Sequence, residues 1–289
     1  MDYTYTQGHK VTIAWTERGV DYNKASGGIT ADNRRLLQIL HRNARGLATV
    51  RDAADAWQMP PERAGRLLRS LAAGGWLTRA RRGLYIPVPL EAARSGDWHE
   101  DPWLIAAKLF PGGYIGGWSA CEHWELTDQL FRDVLVYSPR RAASKTIAVD
   151  GTAIQMKLVP EKKLFGLRSI WRSTAKVTVS DPTRTLIDIL DEPRNGGGIR
   201  QVVDVIDEYF RSSDRDDGLL VSYGDRFGNR AVFKRLGYIV EGLSFDAPGL
   251  LAACADRVSR GISLLDPSIG PRGPIVTRWN LRINAEIRT

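Results

Sequence analysis

The sequence predicts an α+β protein of two unequal parts, and three observations carry that prediction. Residues 49–87 read as helix, turn, helix and a two-stranded ribbon. Residues 30–90 hold eleven arginines against four acids, which is +7 of the chain's formal net charge of +8. Residues 97–289 run strand-rich first and helix-rich after, the order of an α+β domain and not of repeated βαβ units. A length of 289 residues suits about two domains. An apolar content of 43% is enough for ordinary buried cores.

Taken in order, residues 1–29 read either as an extended N-terminal arm or as additional upstream sequence, with 11–15 as an edge strand and 26–28 as a glycine hinge. A helix over 31–43 carries Leu36, Leu37, Ile39 and Leu40 as its apolar side. The next helix opens with a capping box, in which Thr49 and Asp52 can satisfy free N–H groups of the first turn. Val50, Ala53, Ala54 and Trp57 follow at i, i+3, i+4 and i+7, so one face is apolar. Pro60-Pro61 ends that helix and starts another, since proline disfavours a helical residue before it and suits a helix's first position. The second helix buries Ala64, Leu67, Leu68 and Leu71 and stops at Gly74-Gly75. Residues 76–80 and 84–86 are strand-like, with Arg81-Arg82-Gly83 between them.

This is the pattern of a winged helix-turn-helix over residues 30–90, a fold whose second helix lies in the major groove of DNA. Arginine suits that place, because its planar fork engages the acceptor edge of guanine or a pair of phosphate oxygens with two bonds. The candidate DNA-binding residues are Thr49 and Arg51 on the first helix of the motif, Arg63, Arg66, Arg69 and Ser70 on the second, and Arg79, Arg81 and Arg82 on the wing. A basic field confined to a fifth of the chain fits a nucleic-acid surface better than general solubility.

Residues 91–96 make a linker, and a second α+β domain occupies 97–289. Helices are expected at 103–110 and 118–124, and strands at 134–137, 147–149 and 154–159, with Asp150-Gly151 as a hairpin turn. A strand at 176–179 precedes a helix starting at Asp181-Pro182. Further helices follow at 199–210, 226–236 and 248–259, with a polar loop over 212–218 and a last strand over 278–284.

A search for chemistry yields little. The four histidines are scattered, and Cys121 and His123 are too close in sequence to face each other on a helix. There is no phosphate-binding P-loop and no dinucleotide turn. Asp133 before one strand and Gln155-Met156-Lys157 on a later one are reminiscent of restriction-type nucleases, though Gln155 stands where a carboxylate is usual. The basic run Lys162, Lys163, Arg168, Arg172 and Lys176 reads as a solvated loop, a second DNA contact or a docking face for a partner. Cys121 and Cys254 give neither a disulfide framework nor metal spacing, so no metal or other cofactor is expected. No apolar run reaches the roughly 18 residues that span a bilayer. The N-terminus lacks a signal peptide's apolar core, so a cytoplasmic protein without a membrane is expected.

The order of several short pieces resembles the AbiEi antitoxins, regulators paired with nucleotidyltransferase-like toxins of the AbiEii type. The pieces are Arg82-Gly-Leu-Tyr85, Tyr114-Ile-Gly-Gly-Trp-Ser-Ala120 leading to Leu126, and Val179-Ser-Asp-Pro-Thr-Arg-Thr-Leu-Ile-Asp188. Arg235-Leu-Gly-Tyr238, Leu265-Asp-Pro267 and Arg278-Trp279 follow. The likeness covers most of residues 31–289. It implies a non-enzymatic autorepressor that binds inverted repeats of double-stranded DNA in its own promoter, as a monomer or weak dimer paired on DNA. It also implies an antitoxin domain acting on the cognate toxin directly or indirectly. By its charge, the run Lys162, Lys163, Arg168, Arg172 and Lys176 is the candidate partner face. Tyr114, Trp118, Asp181, Pro182, Thr185 and Asp188 are expected to hold the second domain's fold, Asp181 as a helix cap and Asp188 as a buried partner for a basic group. The alternatives are a regulator that senses a small ligand in its second domain and a nuclease with a DNA-binding head.

Overall fold

Helices α1 (Ala31–Ala44), α2 (Val50–Trp57) and α3 (Pro61–Ala73) enclose a small core built from Leu37, Leu40, Trp57, Leu68, Leu71 and Tyr85. The structure is a computed structural model that describes residues 29–44, 47–88, 100–142, 144–149, 151–172 and 175–287. The expected strand at 11–15, the hinge at 26–28 and the linker at 91–96 lie outside the described residues. The capping box forms as the residues dictate: the Thr49 hydroxyl accepts from Asp52 N at 3.1 Å, and Thr49 N donates to Asp52 Oδ2 at 2.9 Å. Gln58 ends α2 in the left-handed region at φ 51°, and Pro61 opens α3 at its first position. The indole of Trp57 ties α2 to α1, donating to Leu36 O at 2.8 Å.

A short strand β1 (Ala48–Thr49) pairs with β3 (Leu84–Pro87), which pairs in turn with β2 (Leu77–Arg81). The β2–β3 turn needs Gly83, whose φ is +80°. All four residues of β3 are buried. Tyr85 faces the α1–α3 core, whereas Leu84 and Ile86, with Leu47, enter a second core shared with Trp103, Leu104 and Ile105. The first part of the chain is therefore joined to the second through side chains as well as through residues 89–99.

The second part is built on a mixed six-stranded sheet. In chain order come α4 (Pro102–Leu109), β4 (Tyr114–Ile115), α5 (Trp118–His123), β5 (Val134–Ser138), β6 (Thr146–Val149), β7 (Thr152–Leu158), β8 (Leu167–Arg172) and β9 (Ala175–Ser180). The spatial order is β6-β7-β5-β4-β9-β8, with β5 parallel to β7, β4 parallel to β9, and the other pairs antiparallel. Val149 pairs with Thr152 across the two-residue turn expected there, with Gly151 at φ +77°. Helices α6 (Pro182–Asp191), α7 (Ile199–Arg211), α8 (Asp217–Phe227), α9 (Arg230–Gly242) and α10 (Pro248–Asp256) follow. A small sheet of β10 (Ser263–Leu264), β11 (Ile275–Val276) and β12 (Leu281–Arg282) ends the described chain. Among the described residues no helix is long and apolar enough to cross a membrane.

Three expectations are corrected. The polar loop at 212–218 ends early, because Asp216 caps a full helix, α8, by accepting from Leu219 N at 2.8 Å. The buried positions of α8 are Leu220, Gly224 and Phe227; the glycine, pressed against the Phe233 ring, breaks the apolar stripe that would have marked it. Strand β8 lies within the supposed basic loop, and as an edge strand it carries no apolar run. The last strand shrinks to Leu281–Arg282, because Asn280 turns into the left-handed region at φ 44° after a 3-10 turn at Thr277–Trp279.

Several of the short motifs of residues 114–279 meet inside the second part. Asp181 caps α6, accepting from Arg184 N at 2.7 Å. Asp188 finds its basic partner in Arg184, fully buried at 3.0 Å, and Tyr114 Oη donates to the same carboxylate at 3.0 Å. The remaining Arg184 N–H groups reach the Lys163 and Phe165 carbonyls. Arg235 donates to the carbonyls of Leu190, Asp191, Leu264 and Leu265, joining α9 to α6 and to β10. Trp279 packs so closely on Gly237 that any side chain there would overlap its ring.

Candidate nucleic-acid interface

Helix α3 sorts its residues by solvent. Ala64, Gly65, Leu68 and Leu71 are buried, while Arg63, Arg66, Arg69 and Ser70 are exposed and lie along one side at helical spacing. Gly65 is buried on the α2 side of α3, where a Cβ would make ordinary contact with the Val50 side chain at 3.5 Å. Among the described residues no carboxylate lies within 4 Å of Arg63, Arg66 or Arg69. Arg79 and Arg82 are exposed on the β2–β3 hairpin that leaves the end of α3. Arg81 pairs through its backbone with Leu84, and its side chain lies outside the described residues. Arg51 is exposed on α2, whereas the Thr49 hydroxyl is occupied in the cap.

The five residues of the basic run do not form one surface. Along β8, Arg168, Ile170 and Arg172 share a side, and the side chains between them point the other way. Arg172 donates to Asp101 Oδ2 at 2.7 Å and lies 4.8 Å over the Trp103 ring. Arg168 stacks 5.3 Å from the Trp124 ring. Lys176 pairs across from Trp171 and lies 5.2 Å over its ring, on the opposite side of the hairpin. Lys163 sits 3.5 Å over Phe227, and burial pulls its ammonium below the usual lysine range. Only Lys162 is exposed without a ring or carboxylate partner among the described residues.

The nuclease-like residues are also committed elsewhere. Gln155 Nε2 donates to Asp133 Oδ2 at 3.0 Å, so an amide fills the place beside that carboxylate. Lys157 Nζ is held by Asp191 at 3.0 Å and by Glu192 at 2.8 Å. Strand β7, which carries Gln155 and Lys157, runs parallel to β5, which Asp133 immediately precedes. Among the described residues no three of His, Cys, Asp and Glu converge as metal ligands. Cys121 is fully buried, and that burial pushes its thiol far above the ordinary cysteine range.

Sequence reasoning passed over Arg141, Lys145 and Arg194, which line a cleft of about 890 Å³ together with Lys157 and Trp118. Arg141 and Lys145 come from the connection between β5 and β6 and Arg194 from the turn after α6, so only the fold brings them together. Comparison with protein-family models and with curated proteins finds no match to this chain.

Proposed function

We propose that this chain is a DNA-binding repressor that also serves as the antitoxin of a toxin–antitoxin pair. In this reading residues 30–90 are a winged helix-turn-helix, α3 enters the major groove, and the β2–β3 hairpin is the wing. The observation that supports it most directly is the unpaired row Arg63, Arg66 and Arg69 on the solvent side of α3, beside the exposed Arg79 and Arg82. Several surface arginines of the second part are tied to carboxylates, as Arg211 is to Asp207 and Arg230 to Asp225. A row without them is available to phosphates and base edges.

The antitoxin half of the proposal rests on the likeness in motif order to AbiEi proteins, and its partner is an AbiEii-type nucleotidyltransferase toxin. It assigns the chain no catalysis. Electrophoretic mobility shifts of the full-length protein on its own upstream DNA, repeated across salt concentrations, test the DNA-binding half. Binding should weaken steeply with salt, as phosphate contacts release counterions. A second reading, a regulator whose second part answers a small ligand, is favoured by the cleft beside Trp118.

A further inference from the structure

The cleft on the second part has cations on its walls and no Asp or Glu among its lining residues. Its cations are of two kinds. Lys157 and Arg194 are held by acids outside the lining, Lys157 by Asp191 and Glu192, and Arg194 by Glu192. Arg141 and Lys145, from the segment between β5 and β6, are exposed and have no carboxylate partner among the described residues. The neutralised side is thus fixed in place, and the other side keeps uncompensated positive charge. A concavity of that kind draws an anion.

The remaining lining narrows the anion's chemistry. Trp118 is an immobilised aromatic plate: its Nε1 donates to Asp133 O at 2.9 Å, and its ring stacks on Phe131 at 6.0 Å. Gln155 is oriented by its bond to Asp133, which leaves its carbonyl oxygen without a described donor. A volume of about 890 Å³ falls within the range of about 300–1,000 Å³ typical of small-ligand pockets, and is far more than one inorganic phosphate needs. Arg141 and Lys145, the lining cations without a carboxylate partner among the described residues, suffice for one phosphate chain.

We propose that this cleft binds a nucleoside di- or triphosphate. The phosphate chain lies against Arg141 and Lys145, the side that keeps uncompensated positive charge. The base lies on the Trp118 side, where stacking and the Gln155 carbonyl receive it. No bond is made or broken. The proposal stands on the cleft alone, so loss of DNA binding bears on it in neither direction.

Isothermal titration of the full-length protein at physiological salt tests it, with ATP, GTP, CTP and UTP as probes beside adenosine and inorganic triphosphate. At least one nucleotide should bind at one site per chain, more tightly than either adenosine or inorganic triphosphate. Lys145→Glu and Arg141→Glu should each weaken that binding by roughly tenfold or more, the scale of a lost charge-assisted contact. Lys176→Glu, an equal charge change on β9 away from the cleft lining, should leave it unchanged. Trp118→Leu, shown by its melting curve to be folded, should weaken the nucleotide but not inorganic triphosphate. Absence of nucleotide binding overturns the proposal. So does inorganic triphosphate binding as tightly as nucleotides, or a Lys176→Glu loss equal to that of Lys145→Glu. Binding of a single-stranded oligonucleotide that no mononucleotide displaces overturns it as well.

Discussion

The ammonium of Lys108 on α4 lies 3.5 Å from Oδ2 of Asp52, the same oxygen that closes the capping box at the start of α2. This contact, with Leu84 and Ile86 buried among α4 residues, makes the arginine-bearing part a docked unit and not a bead on a tether. The apolar contacts dominate. Ile86→Ala should cost about 2–5 kcal/mol, the range for large-to-small changes in a core. Lys108→Ala should cost under about 1 kcal/mol, since both partners are partly exposed. Urea unfolding followed by tryptophan fluorescence should give one transition. Two well-separated transitions would show that the units fold independently.

The Arg184–Asp188 pair is wholly buried, and Tyr114 completes it. Arg184→Met should destabilise by about 3–5 kcal/mol, because it leaves a buried carboxyl without its charged partner. Replacing both, as Arg184→Met with Asp188→Leu, should recover part of the loss. Thermal melts of the two variants check this, and a neutral single substitution would contradict it.

Stability should also depend on pH through Lys157 and Asp191. Burial pushes the Asp191 carboxyl up, but Lys157 and a bond from Asn229 pull it further down, below the usual carboxylate range. Burial pulls the Lys157 ammonium down, but Asp191 and Glu192 more than offset this, so it ends above the usual lysine range. The Asp191 contribution is present above the unfolded value of about 3.9 and is lost as pH falls through the lower folded value. The Lys157 contribution is present below about 10.4 and is lost as pH rises through the higher folded value. Lys157→Met should therefore cost about 1–2 kcal/mol near neutrality, between the exposed and buried cases. Melting temperatures should converge with those of the unaltered protein in acid. A constant gap from neutral to acid pH would contradict the assignment.

Repression and protection should separate by mutation. Arg63, Arg66 and Arg69 changed together to Ala should abolish promoter repression and still protect cells that express the toxin from a foreign promoter. Protection lost in a folded, equally abundant protein would mean that toxin control runs through DNA binding itself. The basic run gives no matching clean set, since Arg172→Ala also removes a bond to Asp101 and a stack on Trp103.

Local chemistry made much of the fold legible. The Thr49–Asp52 box, the Pro60-Pro61 break, the Asp181 cap and the glycine turn before Thr152 each act within a few residues, so sequence alone placed α2, α3, α6 and the β6–β7 hairpin. Features set by distant neighbours were hidden. Leu84 and Ile86 alternate with Tyr85 as in any ribbon, and nothing local marks both sides of β3 as buried. Helix α8 hides behind Gly224, and β8 behind a half-exposed edge sequence that lacks the period-two apolar alternation of a strand. The arginines of α3 were legible as a helical row. The cleft was not, because its cations come from separate segments.

The most direct test of the DNA-binding claim is the affinity of the full-length protein for its upstream inverted repeat, measured beside scrambled DNA at physiological salt. The unaltered protein should prefer the repeat, and Arg66→Ala should cost about 1–3 kcal/mol and relax discrimination at one base pair. Arg63, Arg66 and Arg69 replaced together by Ala should remove the preference while the melting curve stays unchanged. Equal affinity for the repeat and the scrambled duplex, or a triple variant that still prefers the repeat, would contradict the account.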